Sequence, residues 1–203
     1  MEMRSGHTYF IADEFFNKVN DPFLKTNYET VARPHYYSFR DPATSLYWFV
    51  PISSKTDKYE RIIQNKSAQH KPTDTIKIVK IQDQKRALLF QDMFPVLEKY
   101  ITGAYIRGGQ PYRIADPKIV QELEKNAQKI IRLLRRGVKF TPTQPDVMRI
   151  ERLMVAELAE LAEKKPEILT KKTLADTIAD AKEQASKQNN EIVVKKTERE
   201  PER

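Results

Sequence analysis

The chain has 203 residues, of which 39% are hydrophobic, and its 36 lysine and arginine residues exceed its 28 acidic residues by a net charge of +8. It contains no cysteine, which excludes disulfides, thiol catalysis and zinc fingers. We expect a cytoplasmic protein, because the N-terminus lacks an apolar signal region and no stretch approaches the roughly 18 apolar residues of a membrane helix.

The first quarter of the chain predicts strands with one short helix. Residues 9–11 have the composition of a strand, and Asp13 is expected to cap the helix that follows. Residues 35–40 and 45–51 are rich in aromatic and β-branched residues, which favour strands. The turn signal at residues 41–44 joins these two strands into a predicted hairpin.

The middle of the chain predicts a helix over residues 56–66 and a second hairpin from residues 74–81 and 86–91. We expect residues 93–96 to leave the sheet and residues 108–111 to form a loop.

The later part of the chain predicts helices. Asp116 and Pro117 mark the start of a helix with one apolar face, and Gly137 ends it. A second helix is expected to start near Pro145 and Asp146.

Strands followed by helices predict an α+β fold, a small twisted antiparallel sheet or half-open barrel with helices packed around it. We predict one domain over residues 1–164 and a C-terminal extension over residues 165–203, helical over residues 170–187 and then disordered.

The positive charge and the aromatic residues share one region. The whole excess of +8 lies in residues 1–148, and all 19 aromatic residues precede residue 141. Cations that meet phosphates and rings that stack on bases suit RNA. The other interpretation is an ordinary basic domain with an aromatic core, because net charge indicates partners only weakly.

One strand-like run ends in two hydroxyls and an ammonium, those of Ser53, Ser54 and Lys55, and the preceding strand begins with Arg33 and His35. If the two strands pair, all five groups meet at one end of the sheet. They are suited to metal-independent cleavage of RNA, in which a base takes the ribose 2′-OH proton, cations hold the phosphorane charge and an acid protonates the leaving oxygen. The alternative is a solvated strand end with a structural histidine.

Three histidines without cysteine, an HExxH pattern or paired aspartates give no expectation of a metal site, and no Walker or GxGxxG motif indicates a cofactor.

From Tyr9 to about Leu153 the chain resembles the ToxN/AbiQ-type toxins of type III toxin–antitoxin systems, most closely their CptN-like branch. The resemblance covers roughly three quarters of the chain. It rests on short segments in a fixed order: Thr8–Ile11, Asp21–Asn27, Arg33–Tyr37, Trp48–Lys55, Phe90–Val96, Arg136–Gly137 and Thr143–Val147.

The resemblance implies a highly twisted sheet ringed by helices, similar to the Kid/MazF fold, and a sequence-specific endoribonuclease that leaves a 2′,3′-cyclic phosphate. It implies target RNAs and an antitoxin RNA cut from tandem repeats, which inhibits the toxin in a multimeric complex, while the free toxin is a monomer. Ser53 and Lys55 match the family's catalytic Ser-x-Lys. His35 stands where some members use a lysine, so the identity of the base stays open.

Two further functions are compatible with the residues. One is a non-catalytic RNA- or DNA-binding module, and the other is a protein-interaction scaffold that acts through its tail. The candidates for RNA contact are aromatic and basic side chains spread over the first half of the chain: Tyr9, Tyr36, Lys58, Tyr59, Lys66, Lys77, Lys80, Lys85 and Arg86.

Overall fold

A computed structural model describes residues 2–28 and 31–163 and has an α+β fold built on a seven-stranded antiparallel sheet. The strands are β1 (Thr8–Ile11), β2 (Pro34–Arg40), β3 (Tyr47–Ser53), β4 (Ile76–Ile81), β5 (Gln84–Leu89), β6 (Phe94–Val96) and β7 (Ile101–Ala104). Their order across the sheet is β4-β5-β3-β2-β1-β7, and β6 pairs with β3 alongside β5. Strands β4 and β7 therefore end this order, and β6 is a further edge strand with β3 as its partner.

Four helices lie within the described residues: α1 (Asp13–Val19), α2 (Thr56–Ala68), α3 (Pro117–Arg135) and α4 over residues 147–163. None of the described helices is long and apolar enough to cross a membrane. The chain divides after Ala156 into two units, and the sheet and α1 to α3 belong to the first. The predicted boundary at residue 164 stays a prediction, and the predicted features of the tail lie outside the described residues.

The hairpin of β2 and β3 is buried on both of its faces. Its register pairs His35 with Pro51 and Tyr37 with Phe49, and a bulge then brings Phe39 opposite Trp48. One face packs against the apolar residues of α3. The other face packs against aromatic rings that include those of α1. The predicted hairpin is confirmed, and its long aromatic and β-branched runs are explained by burial on both sides.

Helix α3 begins and packs as its sequence predicts. The Asp116 side chain accepts a hydrogen bond from the backbone N–H of Lys118 at 2.8 Å, and Pro117 occupies the first turn. One stripe of the helix is buried against the sheet: Leu123, Ala127, Ile130, Ile131 and Leu134. This spacing follows the helical period, so the stripe covers the sheet along about three turns.

A charged cluster joins the β2–β3 turn to the helices. The Arg135 guanidinium at the end of α3 bonds both the Asp41 carboxylate in the turn and the Glu151 carboxylate in α4. Both carboxylates are buried, with 5% and 6% of their surfaces exposed. Although burial raises the pKa of Asp41, its hydrogen bonds to Arg135 and to the Ala43 N–H hold that pKa below its usual value.

Three local expectations are wrong. Ala12 rather than Asp13 is the N-cap of α1, and Asp13 is the first helical residue. Residues 94–96 form β6 instead of leaving the sheet; Pro95 is tolerated because a three-residue strand with one partner needs few ladder donors. Residues 106–111 form a small ribbon, β8 (Ile106–Arg107) with β9 (Gln110–Pro111). Gly108 and Gly109 both adopt positive φ in its turn.

The buried cluster predicts a specific loss of stability. Arg135→Met removes the only cation shown bonding both Asp41 and Glu151 within the described residues. Because two carboxylates are then buried without a counter-ion, we expect the free energy of unfolding to fall by about 3 kcal/mol. Urea unfolding at pH 7 measures it. Arg132→Met, at an exposed position on the same helix, is the matched control, and equal losses in the two variants would contradict a special role for Arg135.

Candidate active site

The register of β2 and β3 brings the predicted strand ends together. His35 lies opposite Pro51. Continuing this antiparallel register by two residues sets Arg33 opposite Ser53, the last residue of β3. Arg33 comes directly before β2 and Ser53 ends β3, so the two residues stand at the same end of the hairpin. The predicted pairing of the two strands is therefore confirmed.

The chain turns from β3 directly into α2 at the predicted hydroxyls. The Ser53 hydroxyl oxygen accepts a hydrogen bond from the backbone N–H of Lys55 at 3.2 Å, and Lys55 is the N-cap residue of α2. Ser54 and Lys55 are exposed. The first N–H groups of a helix lack internal acceptors and attract anions. A phosphate bound here would meet these N–H groups, two hydroxyls and the Lys55 ammonium.

The Arg33 side chain is held in place at the edge of this site. Its Nε donates to the carbonyl oxygen of Thr26 at 3.0 Å, and its guanidinium lies 4.6 Å from the centre of the Tyr28 ring. Its backbone N–H donates to the Asn27 side chain at 2.8 Å. The charge is therefore positioned before any ligand binds, which favours electrostatic stabilisation.

Tyr59 bridges Ser53 to two residues that the sequence analysis did not select. Its hydroxyl interacts with Ser53 and lies in the electrostatic field of Asp92 and Arg33. Burial, and next the Asp92 charge, raise the pKa of Tyr59. Asp92 in turn pairs with Lys25, with 3.5 Å between the carboxylate oxygen and Nζ.

We name this group the strand-end cluster: Lys25, Arg33, Ser53, Lys55, Tyr59 and Asp92. Lys25 and Asp92 lie in two of the segments that carry the family resemblance, Asp21–Asn27 and Phe90–Val96. That overlap was the available signal for them. Their spacing in sequence predicts no contact, because only the fold brings the two segments together.

His35 lies in the core and not in the site. Its side chain is 0% exposed, and its ring packs against Phe16 and Phe94 at centroid distances of 5.9 and 5.3 Å. Burial lowers the pKa of His35 to about 3, although its contact with the Lys25 carbonyl opposes this. The predicted proton transfer by His35 is therefore corrected, because a neutral ring walled off by aromatic residues cannot touch a phosphodiester.

The predicted RNA contacts divide by burial. Tyr9 and Tyr36 are 2% and 0% exposed and belong to the core, so their predicted stacking on bases is corrected. Tyr59 is half-buried against β4 and β5, and its hydroxyl is engaged by Ser53. Lys58 is exposed beside the strand-end cluster at the start of α2, and it stays a predicted RNA contact.

Several predicted basic contacts already have partners within the chain. The Lys66 ammonium donates to the Thr75 hydroxyl at 2.9 Å. Lys85 pairs with Glu60, and the Arg86 guanidinium bonds the Gln84 side chain. Thr75 is 2% exposed, whereas Glu60 and Gln84 are part-exposed. All three basic residues stay predicted RNA contacts.

Lys77 and Lys80 of β4 line a groove of about 590 Å³ against α3. Two further lysines, Lys125 and Lys129, line the same groove from the helix side. The sequence analysis did not select these two, because their contribution depends on the packing of α3 beside β4. We name this surface the β4–α3 groove. Glu122 also lines it, and Lys129 pairs with Asp74. The ammonium groups of Lys77, Lys80 and Lys125 suit a phosphate backbone.

The described part of the chain holds no group of three His, Cys, Asp or Glu side chains arranged to bind a metal ion. The strand-end cluster offers one carboxylate, that of Asp92, which is paired with Lys25.

Known proteins resemble this chain in their fold and not in their overall sequence. The sequence matches no protein-family model and no curated protein. Among solved structures, AbiQ, a lactococcal anti-phage endoribonuclease of a type III toxin–antitoxin system, superposes with a TM-score of 0.58 at 12% identity. The match covers 79% of this chain and all of AbiQ. This chain therefore has the AbiQ fold, and the resemblance to ToxN/AbiQ-type toxins is confirmed at the level of fold.

A second solved structure shows a bacterial type III toxin–antitoxin system in which a non-coding RNA pseudoknot inhibits the toxin. It aligns with a TM-score of 0.46 and 18% identity over 77% of this chain and 99% of that chain.

The buried imidazole predicts a pH dependence of stability. In the unfolded chain His35 becomes protonated below about pH 6.5, whereas in the folded chain it becomes protonated only below about pH 3. The contribution of His35 to the free energy of unfolding is therefore fully present above about pH 6.5. It is lost as the pH falls from about 6.5 toward 3. We expect the free energy of unfolding to be about 2 kcal/mol lower at pH 5 than at pH 7. Urea titrations at the two pH values measure it.

His35→Phe removes the titrating group and should flatten this difference. His7→Asn is the matched control; the pKa of His7 is also lowered, by partial burial and then by Arg113 and Arg4, but its ring is part-exposed. If the His35 variant keeps the same difference in unfolding free energy between pH 5 and pH 7, other groups cause the acid sensitivity.

Proposed function

We propose that this chain is the toxin of a type III toxin–antitoxin system and an endoribonuclease. The observation that carries the proposal is the strand-end cluster, which gathers cations and hydroxyls around a helix N-terminus at one sheet end. The AbiQ fold supports it, because AbiQ is an anti-phage endoribonuclease of such a system.

The proposed reaction is cleavage of RNA by its own 2′-hydroxyl. The 2′-oxygen attacks the adjacent phosphorus and the bond to the 5′-oxygen breaks, which leaves a 2′,3′-cyclic phosphate. Lys55 and Arg33 stabilise the charge on the phosphorane oxygens, and Ser53 orients the phosphate, with Ser54 beside it. Because His35 is buried, we assign the 2′-OH proton to water and the protonation of the leaving oxygen to the Lys55 ammonium. No metal ion takes part in this scheme.

Removal of one positioned donor tests the catalytic assignment. Ser53→Ala and Lys55→Ala should each lower the single-turnover rate of RNA cleavage by about 100-fold or more. The assay uses total RNA and counts new 2′,3′-cyclic phosphate ends, with and without EDTA. Ser67→Ala and Lys118→Ala, at exposed positions on α2 and α3, are matched controls.

Three results of this assay would contradict the proposal. Wild-type rates in both site variants would exclude these two residues. Loss of activity in EDTA would exclude the metal-independent scheme. RNA that is bound but never cut by the wild-type chain would favour the alternative, a non-catalytic nucleic-acid-binding module.

We further propose that an antitoxin RNA cut from tandem repeats inhibits this chain within a multimeric complex. The resemblance in sequence supports this, and the β4–α3 groove supplies a basic surface apart from the strand-end cluster. Charges that line such a groove contact phosphates irrespective of base sequence.

Reversal of charge in the groove tests the RNA partner. Lys77→Glu combined with Lys80→Glu should weaken binding of the RNA encoded upstream of the gene by about tenfold or more at 150 mM salt. Filter binding in a Ser53→Ala background measures the affinity without cleavage. Lys118→Glu combined with Lys139→Glu changes the net charge equally at exposed positions outside the groove. Equal losses of RNA affinity in the two double variants would show that net charge alone, and not the groove, causes the effect.

A further inference from the structure

The segment that follows α1 is fixed to the core by its own backbone. The carbonyl oxygen of Lys25 lies 3.4 Å from His35 Nε2, and because a carbonyl only accepts, this nitrogen carries the proton. The Thr26 carbonyl accepts from Arg33 Nε at 3.0 Å. The Asn27 amide donates to the Ile11 carbonyl at 2.9 Å. Three successive residues are therefore held against β1 and β2.

The side chain of Lys25 is directed by a buried carboxylate. Its Nζ lies 3.5 Å from a carboxylate oxygen of Asp92, whose side chain is 5% exposed, whereas the Lys25 side chain keeps 34% exposure. Asp92 lies in the 3-10 helix Phe90–Asp92, directly after β5. Burial of a carboxylate costs free energy that a hydrophobic residue avoids. The burial of Asp92 is therefore better explained by the position that it gives to the Lys25 ammonium.

This pair belongs to the strand-end cluster. The field of Asp92 reaches the Tyr59 hydroxyl, which also interacts with Ser53. The backbone carbonyl of Thr26, the next residue along the chain, accepts a hydrogen bond from Arg33. Lys25 is thus linked to Ser53 through Asp92 and Tyr59, and to Arg33 through its own segment.

We propose that the Lys25 ammonium is a further phosphate-contacting cation of the cleavage site, that Asp92 is its positioning residue, and that buried His35 fixes its backbone. The inference rests on the proposed function and adds to it a third cation beside Lys55 and Arg33. It also gives His35 a role that its burial permits, since the ring acts through the Lys25 carbonyl and not on the RNA.

The test is a cycle of variants of the full chain, cleaving a pool of RNA oligonucleotides of randomised sequence under single-turnover conditions. Lys25→Ala should lower the cleavage rate by about 30-fold or more, and Lys25→Arg should restore most of it. Asp92→Asn should lower the rate by about tenfold. If Asp92 acts through Lys25, the double variant Lys25→Ala with Asp92→Asn is no slower than Lys25→Ala alone, within about twofold.

A second readout separates phosphate contact from a structural role. In a Ser53→Ala background, Lys25→Ala should reduce the slope of log affinity against log salt by about one, whereas Lys118→Ala leaves the slope unchanged. Thermal unfolding confirms that each variant is folded. If Asp92→Asn does not fold, the comparison of Lys25→Ala with Lys25→Arg decides the role of Lys25.

The outcomes separate this inference from the proposed function. A wild-type chain that produces no cyclic phosphate ends overturns the proposed function. A wild-type chain that cleaves RNA, together with a Lys25→Ala variant that cleaves at the same rate, overturns the inference alone. Additive losses in the double variant exclude Asp92 as the positioning residue of Lys25.

Discussion

The antiparallel register of β2 with β3 determines where Arg33, Ser53 and Lys55 of the candidate active site lie. Burial of both faces of this hairpin fixes that register, because a slip by one residue would turn a set of aromatic side chains from one layer into the other. Arg33 and Ser53 lie just beyond the last buried pair of the hairpin. The site therefore lies next to the core, while Ser54 and Lys55 are exposed to solvent.

Buried polar groups support this site from behind. His35 occupies an aromatic pocket and keeps one nitrogen on the Lys25 carbonyl. Asp92 is buried and pairs with Lys25, and Tyr59 of α2 interacts with Ser53. Such groups reduce the stability that an all-apolar core would have, and in exchange they orient charges before substrate binds. The proposed reaction at the surface thus depends on residues that lie in the core.

Much of the fold could be predicted from local pattern. The two hairpins, the Asp116 cap and the apolar stripe of α3 were evident because alternation, turn residues and helical spacing act over a few residues. Strand β6 could not be found in this way, since Phe94–Val96 is a strand only because β3 leaves an edge beside it. The half-open barrel and the domain boundary at residue 164 stay predictions.

The residues of the candidate site that lie at strand ends could be predicted from the sequence. Those that depend on tertiary contacts could not. Ser53, Lys55 and Arg33 follow from two adjacent strands. The pairing of Lys25 with Asp92 joins residues far apart in sequence, which no spacing rule indicates. The burial of His35 was missed for a related reason. Its position on β2 was foreseen, but the rings of Phe16 and Phe94 that cover it come from other elements.

Strand β4 forms one border of the sheet, and its outer side leaves backbone donors and acceptors open to a neighbouring molecule. Lys77 and Lys80 stand on that border. Ammonium groups there repel a second copy of the same strand and so discourage the edge-to-edge stacking that leads to aggregates. The lysines proposed to contact RNA therefore also disfavour the association of chains through this edge.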